Sequence, residues 1–145
     1  MAEHGRIVRL TRYAKKGEPG EEIQNVRLIA GVGMEGDFHS GERQISLLSL
    51  ELRQWMDAQA EPGLCFRRYK ENILFEGLPS AALVPGEQLY VDEAVLEISA
   101  MEKHCFDECP LFRKGEACVL AGQNLFAKVI KSGVVRVDMV LILII

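Results

Sequence analysis

The chain has 145 residues, 48% hydrophobic and 26% charged, which are the proportions of one ordinary globular domain. A formal net charge of −4 excludes the overall basic character of a dedicated nucleic-acid binder. Four cysteines are too few for a disulfide scaffold. Met1-Ala-Glu-His-Gly-Arg6 has no apolar leader, and the longest apolar stretch, Met139–Ile145, falls far short of the ~20 residues of a membrane helix. The expectation is a cytoplasmic protein with reduced thiols, bound to neither nucleic acid nor membrane.

In chain order, Arg6–Thr11 is a β-branched run ending at the turn cluster Lys15-Lys16-Gly17-Glu18-Pro19-Gly20. Five basic residues (Arg6, Arg9, Arg12, Lys15, Lys16) face one acid, Glu3, in this stretch. The run reads as a solvated strand face or as a docking patch for an acidic or phosphate-bearing partner. Val26–Ala30 and Gln44–Leu48 are further strand candidates. From Ser49, a plausible N-cap, Leu48, Leu52, Trp55 and Met56 recur at helical spacing until Glu61-Pro62-Gly63. Ile73–Phe75, Gln88–Val91, Val95–Ser99, Phe126–Ile130 and Val134–Leu143 continue the strands, with a hairpin turn expected at Lys131-Ser132-Gly133 from a positive-φ glycine. One helix among many short strands predicts a single domain, 1–145, that is a mostly β barrel with one or two packed helices. Parallel βαβ architecture would need several alternating helices, which the sequence lacks.

Gly31-Val-Gly-Met-Glu-Gly36 matches the dinucleotide fingerprint formally. That fingerprint works by leading into a helix N-terminus, and the polar Asp37-Phe-His-Ser-Gly-Glu42 that follows has no helical period. The remaining reading is a glycine loop with unusual backbone angles. Asp37 and His39, two residues apart and followed by Arg43, can bind a phosphate-bearing ligand or do acid–base work. Alternatively, Asp37 caps backbone amides and His39 is solvated.

Three of the four cysteines, Cys105, Cys109 and Cys118, fall in one short segment with Lys103, His104, Asp107 and Glu108. Three chemistries are open: a structural zinc completed by His104 or His39, a reactive thiol activated by nearby Lys103, His104 or Arg113, and inert core cysteines, for which Cys65 is the best candidate. Asp107 and Glu108 oppose activation of Cys109, since negative charge raises a thiol pKa.

Together these segments resemble the MOSC family, named for the C-terminal domain of molybdenum cofactor sulfurase. The resemblance runs through Gly33–His39 with Arg43–Leu48, Glu71-Asn-Ile73 with Glu76-Gly-Leu78, and Pro85-Gly86. It continues through Val95–Ser99, Lys103–Cys109, Phe126–Gly133 and Asp138, nearly the whole chain. It looks most like the short stand-alone bacterial form. The resemblance implies a barrel like that of pyruvate kinase, and a cysteine that carries persulfide sulfur or ligates molybdenum. It also implies a pocket for the molybdenum cofactor (molybdopterin). By position it makes Cys109 the first candidate for sulfur handling and for a molybdenum ligand, then Cys105 and Cys118. Asp37, His39, Arg43, Asn72 and Lys103 would contact the cofactor, with Glu71 either a structural residue or a pocket one. The chain departs from the family at Leu120–Asn124, near the thiols, and at Val137-Asp138, where a turn glycine is replaced. No lysine site for pyridoxal phosphate can be identified, so sulfur would come from a separate cysteine desulfurase and pass to a molybdoenzyme partner. The alternative is a non-catalytic module binding a pterin or another phosphate-bearing ligand.

Overall fold

The computed structural model describes residues 2–15, 18–39, 41, 44–58, 71–78, 83–102 and 124–144. They form eleven strands and one helix. The strands are β1 (Ala2–Arg12), β2 (Glu21–Ile23), β3 (Asn25–Ile29), β4 (Gly33–Met34), β5 (Ile45–Ser49), β6 (Ile73–Glu76), β7 (Gln88–Val91), β8 (Ala94–Glu102), β9 (Asn124–Lys131), β10 (Gly133–Arg136) and β11 (Val140–Ile144), and the helix is α1 (Leu50–Ala58). Seven strands close a ring in the order β1-β11-β7-β8-β9-β5-β6, with β2 hanging from β1. The expected mostly β barrel with a packed helix is thus observed.

β1 starts four residues before the predicted strand because its polar first half pairs with β11, from Ala2↔Ile144 to Arg6↔Val140. Its second half pairs with β6, where a register shift between Ile7 and Arg9 lets both Ile7 and Leu10 point into the core. Ile45, Leu47, Ile73, Phe75, Leu96 and Ile98 fill the same interior. Each such burial is worth roughly 1.5–3 kcal/mol, so this interior supplies the main drive for closure.

One parallel pair departs from the sequence expectation. β5 and β6 run parallel in register Leu47↔Ile73, Leu48↔Leu74, and α1 lies in the crossover between them. A parallel neighbour requires such a crossover, and one helix suffices for one pair. α1 packs on β5 and β6. Leu48, Leu52 and Leu74 are all buried, and the two strand residues alternate with the inward Leu47 and Ile73. Every residue of β5 is therefore buried. The Ser49 hydroxyl accepts the Leu52 N–H at 3.2 Å, the N-cap the sequence predicts.

A second, three-stranded sheet, β10-β3-β4, contributes Val26, Leu28, Met34 and Val135 to the same core. This corrects the reading of the C-terminal third. Lys131-Ser132-Gly133 is not a hairpin turn, because β9 pairs with β8 and β5 whereas β10 pairs with β3. Gly133 is required by proximity rather than by positive φ: a Cβ there would lie 2.8 Å from the Ala94 backbone nitrogen. The continuous strand predicted over 134–143 breaks at Val137–Met139, where Asp138 takes a φ of 76° and donates its N–H to Ile7. Aspartate tolerates that conformation, and Val137, which stands where the family has a glycine, does not take a positive φ.

Candidate functional site

The barrel wall formed by β1, β6 and β5 carries the site on its outer face. Strand alternation sends Leu10, Ile73 and Leu47 inward and leaves Thr11, Asn72 and Ser46 outward. Over this face lies the glycine loop that follows β3. Gly31, Gly33 and Gly36 all have positive φ, as expected of a glycine loop. At Gly33 a Cβ would also sit only 3.1–3.2 Å from Gln44. No helix follows the loop within 37–39, where the nucleotide fingerprint would require one.

The loop is fastened by Asp37, whose side chain is only 1% exposed. Oδ1 accepts the Tyr13 N–H at 2.7 Å and the Asn72 amide at 2.9 Å. Oδ2 accepts the His39 N–H at 3.0 Å and faces His39 Nδ1 at 2.5 Å. The Phe38 N–H donates to the Tyr13 carbonyl at 2.9 Å, so loop and strand are tied through both backbone groups of Tyr13. Burial pushes the Asp37 carboxyl up. The hydrogen bonds from the His39 ring, the Tyr13 N–H and the His39 N–H outweigh it, and the group ends below its ordinary value. Asp37 therefore caps amides, as one of the two sequence readings has it, and also faces the imidazole. His39 is not solvated: its side chain is 12% exposed, stacked on Phe38 at 4.1 Å and edge-on to Tyr13 at 6.4 Å.

Asn72 is the node beneath. Its Oδ1 accepts the Ser46 N–H at 2.9 Å, and its Nδ2 donates to the Thr11 carbonyl at 3.1 Å as well as to Asp37. Its backbone bonds Ser46 on one side and Thr11 on the other. One side chain thus ties β1, β5, the start of β6 and the loop together, with both of its amide N–H donors used.

Glu71 turns out to anchor a second cluster that the sequence does not reveal. Its carboxylate, 4% exposed, takes Arg9 Nη2 at 2.8 Å on Oε1 and Arg53 Nη2 at 2.5 Å on Oε2. Arg53 Nε is buried with no acceptor. Tyr13 lies between the clusters. Burial first, then the Glu71 charge, push its phenol up to about 12 against the opposing effect of Arg53 and Arg9, so it stays neutral across the physiological range. The signal for Arg9 lay in the basic run Arg6, Arg9, Arg12, and each member has an acidic partner: Glu76 and Asp138, Glu71, and Glu21. The three arginines thus form an ion-paired strand face, and Lys16 lies outside the described residues. Arg53 gave no signal, because its partner is eighteen residues away across the crossover.

The structure thus brings together Asp37, His39 and Asn72. Arg43, Lys103, Cys65, Cys105, Cys109 and Cys118 lie outside the described residues, as does His104. Among the described residues no three His, Cys, Asp or Glu side chains are placed to hold a metal ion, and no helix is long and apolar enough to cross a membrane. A shallow open cleft lined by His4, Gly5, Arg6, Glu51, Glu76 and Gly77 lies toward the other end of β1.

No family model matches the chain, and no curated protein matches it in sequence. The fold is similar to that of the YuaD protein from Bacillus subtilis, with a TM-score of 0.71 and 17% identity over 99% of this chain and 97% of that one. It is also similar to YiiM from Geobacillus stearothermophilus, with a TM-score of 0.64 and 16% identity over 97% and 75% of the two chains. For YiiM from Escherichia coli the TM-score is 0.57, with 18% identity over 100% and 70%.

Proposed function

We propose that the chain is a MOSC-type domain that binds a phosphate-bearing pterin, the molybdenum cofactor, and carries sulfur on a cysteine. One observation carries the reading. Positions 37, 39 and 72, which the resemblance marks as pocket-lining, meet in one hydrogen-bonded cluster although Asp37 and Asn72 are 35 residues apart. The likeness of fold to YuaD and YiiM agrees with it.

The donors present suit an oxyanion. Arg9 and Arg53 each spend one Nη on Glu71, and Arg53 Nε has no acceptor, so guanidinium N–H groups remain for a phosphate. The cofactor, when bound, supplies molybdenum and the pterin phosphate. On the protein side Arg9 and Arg53 hold the anion, Asp37 and Asn72 fix the wall, and Cys109 is the sulfur-handling residue. A thiolate is suited to both tasks, as nucleophile toward sulfane sulfur and as soft metal ligand. In the carrier step the Cys109 thiolate attacks the outer sulfur of a persulfide on a separate cysteine desulfurase. A sulfur–sulfur bond forms at Cys109, the donor's sulfur–sulfur bond breaks, and the desulfurase cysteine leaves as thiolate. The acceptor is a molybdoenzyme partner.

The test is intact-mass spectrometry after incubation with a desulfurase and cysteine. An added mass of roughly 32 Da (one sulfur) that Cys109→Ser abolishes is expected, and its absence overturns the carrier role. The unspent arginine donors favour a second reading, a non-catalytic module for a phosphate-bearing ligand. Ligand affinity unchanged by replacing Cys105, Cys109 and Cys118 together would select it.

A further inference from the structure

Of the three clustered residues, only His39 has a polar atom that its neighbours leave unused. Asp37 accepts four hydrogen bonds on its two oxygens, and Asn72 spends both amide groups inside the wall. With Nδ1 held against Asp37, the Nε2 edge of the ring necessarily points the other way. A carboxylate on one ring nitrogen fixes the tautomer and makes the opposite nitrogen the working one.

We propose that His39 Nε2 is the proton-linked contact for the phosphate monoester of the ligand, with Asp37 as its positioning residue; this rests on the phosphate-bearing reading above. The second ionisation of a phosphate monoester falls at about pH 6, so near neutrality the ligand arrives mostly as a dianion, the form an imidazolium holds best. On contact Nε2 takes up a proton from the buffer acid: the buffer's bond to that hydrogen breaks and an Nε2–H bond forms. The phosphate stays a dianion and the ring becomes an imidazolium, its positive charge backed by the Asp37 carboxylate at 2.5 Å. Among the described residues, the titratable groups around the ring are Asp37 in its own segment, the neutral Tyr13 on its edge and, beyond Tyr13, Glu71 with Arg9 and Arg53. The two arginines therefore flank the same patch and can take the remaining phosphate oxygens.

The experiment is calorimetry with inorganic phosphate as probe, on the full chain at neutral pH, in two buffers of different ionisation enthalpy. Wild type is expected to bind phosphate with a buffer-dependent enthalpy that reports proton exchange. His39→Gln should weaken binding about tenfold and remove the buffer dependence. Asp37→Asn should remove the dependence while His39 is still present. Nitrogen-15 NMR of the free protein gives a readout without ligand: the neutral ring should carry its proton on Nδ1. Phosphate binding that His39→Gln leaves unchanged, or a neutral ring protonated on Nε2, overturns this inference alone. Absence of any phosphate binding to wild type overturns the phosphate-bearing reading along with it.

Discussion

Two ion-paired clusters on β1 solve opposite problems. At one end Arg6, 44% exposed, faces two carboxylates, Glu76 and Asp138. Three residues on, the arrangement inverts: one buried carboxylate, Glu71, is shared by two guanidinium groups, Arg9 and Arg53. The Arg6 cluster closes a surface, and water screens it, so it contributes little. The Glu71 cluster takes a charge out of water and must keep both partners, yet its arginines have donors to spare. The contrast teaches where a ligand can act. Surplus donors beside a buried, rigid wall make a binding site, whereas surplus acceptors around an exposed arginine do not.

The contrast can be broken from either side. The largest effect is expected from Glu71→Gln, which leaves two guanidinium groups around a neutral amide. It should cost about 2–3 kcal/mol in urea unfolding, partly because both arginines retain some access to water. Asn72→Ala comes next. It strands the buried Ser46 N–H and removes an Asp37 donor, for about 2 kcal/mol by the same measurement.

A pH effect follows. Because the folded Asp37 carboxyl lies below its ordinary value of 3.8, its contribution is present at neutral pH and above 3.8. It is lost as the pH falls through the lowered folded value. Thermal melts of wild type should fall more steeply below pH 3.8 than those of Asp37→Asn, which is less stable at pH 7 but flatter in acid. The smallest effect is expected from Arg6→Ala, whose melting curve should overlay that of wild type at physiological salt. A large loss there would erase the distinction between the clusters.

Much of the barrel was legible because alternation in short strands is a strong signal. Gln88–Val91 was placed residue for residue, with Leu89 and Val91 buried and Gln88 and Tyr90 facing out. β2 and β4 escaped notice because Glu21-Glu22-Ile23, and Gly33-Met34 within a glycine loop, are too short to carry a period. The break before β11 escaped because Val134–Leu143 has neither glycine nor proline, and the turn is made by an aspartate with positive φ. The parallel pair was unreadable for a different reason, since periodicity identifies elements but not their neighbours. At the site, Asp37 and His39 were visible as near neighbours in sequence, and Asn72 through a resemblance of motif. Arg9 was visible only as a member of a basic run, and Tyr13 and Arg53 not at all, because only the closing of the barrel and the crossover through α1 bring them to one face.

The claim that this outer face is the ligand site is tested most directly by amide NMR during titration with a phosphate monoester. The account predicts shifts concentrated at Tyr13, Asp37–His39, Arg53 and Asn72, with the His4, Arg6 and Glu76 cleft unmoved. Shifts confined to that cleft, or none at all, would contradict it.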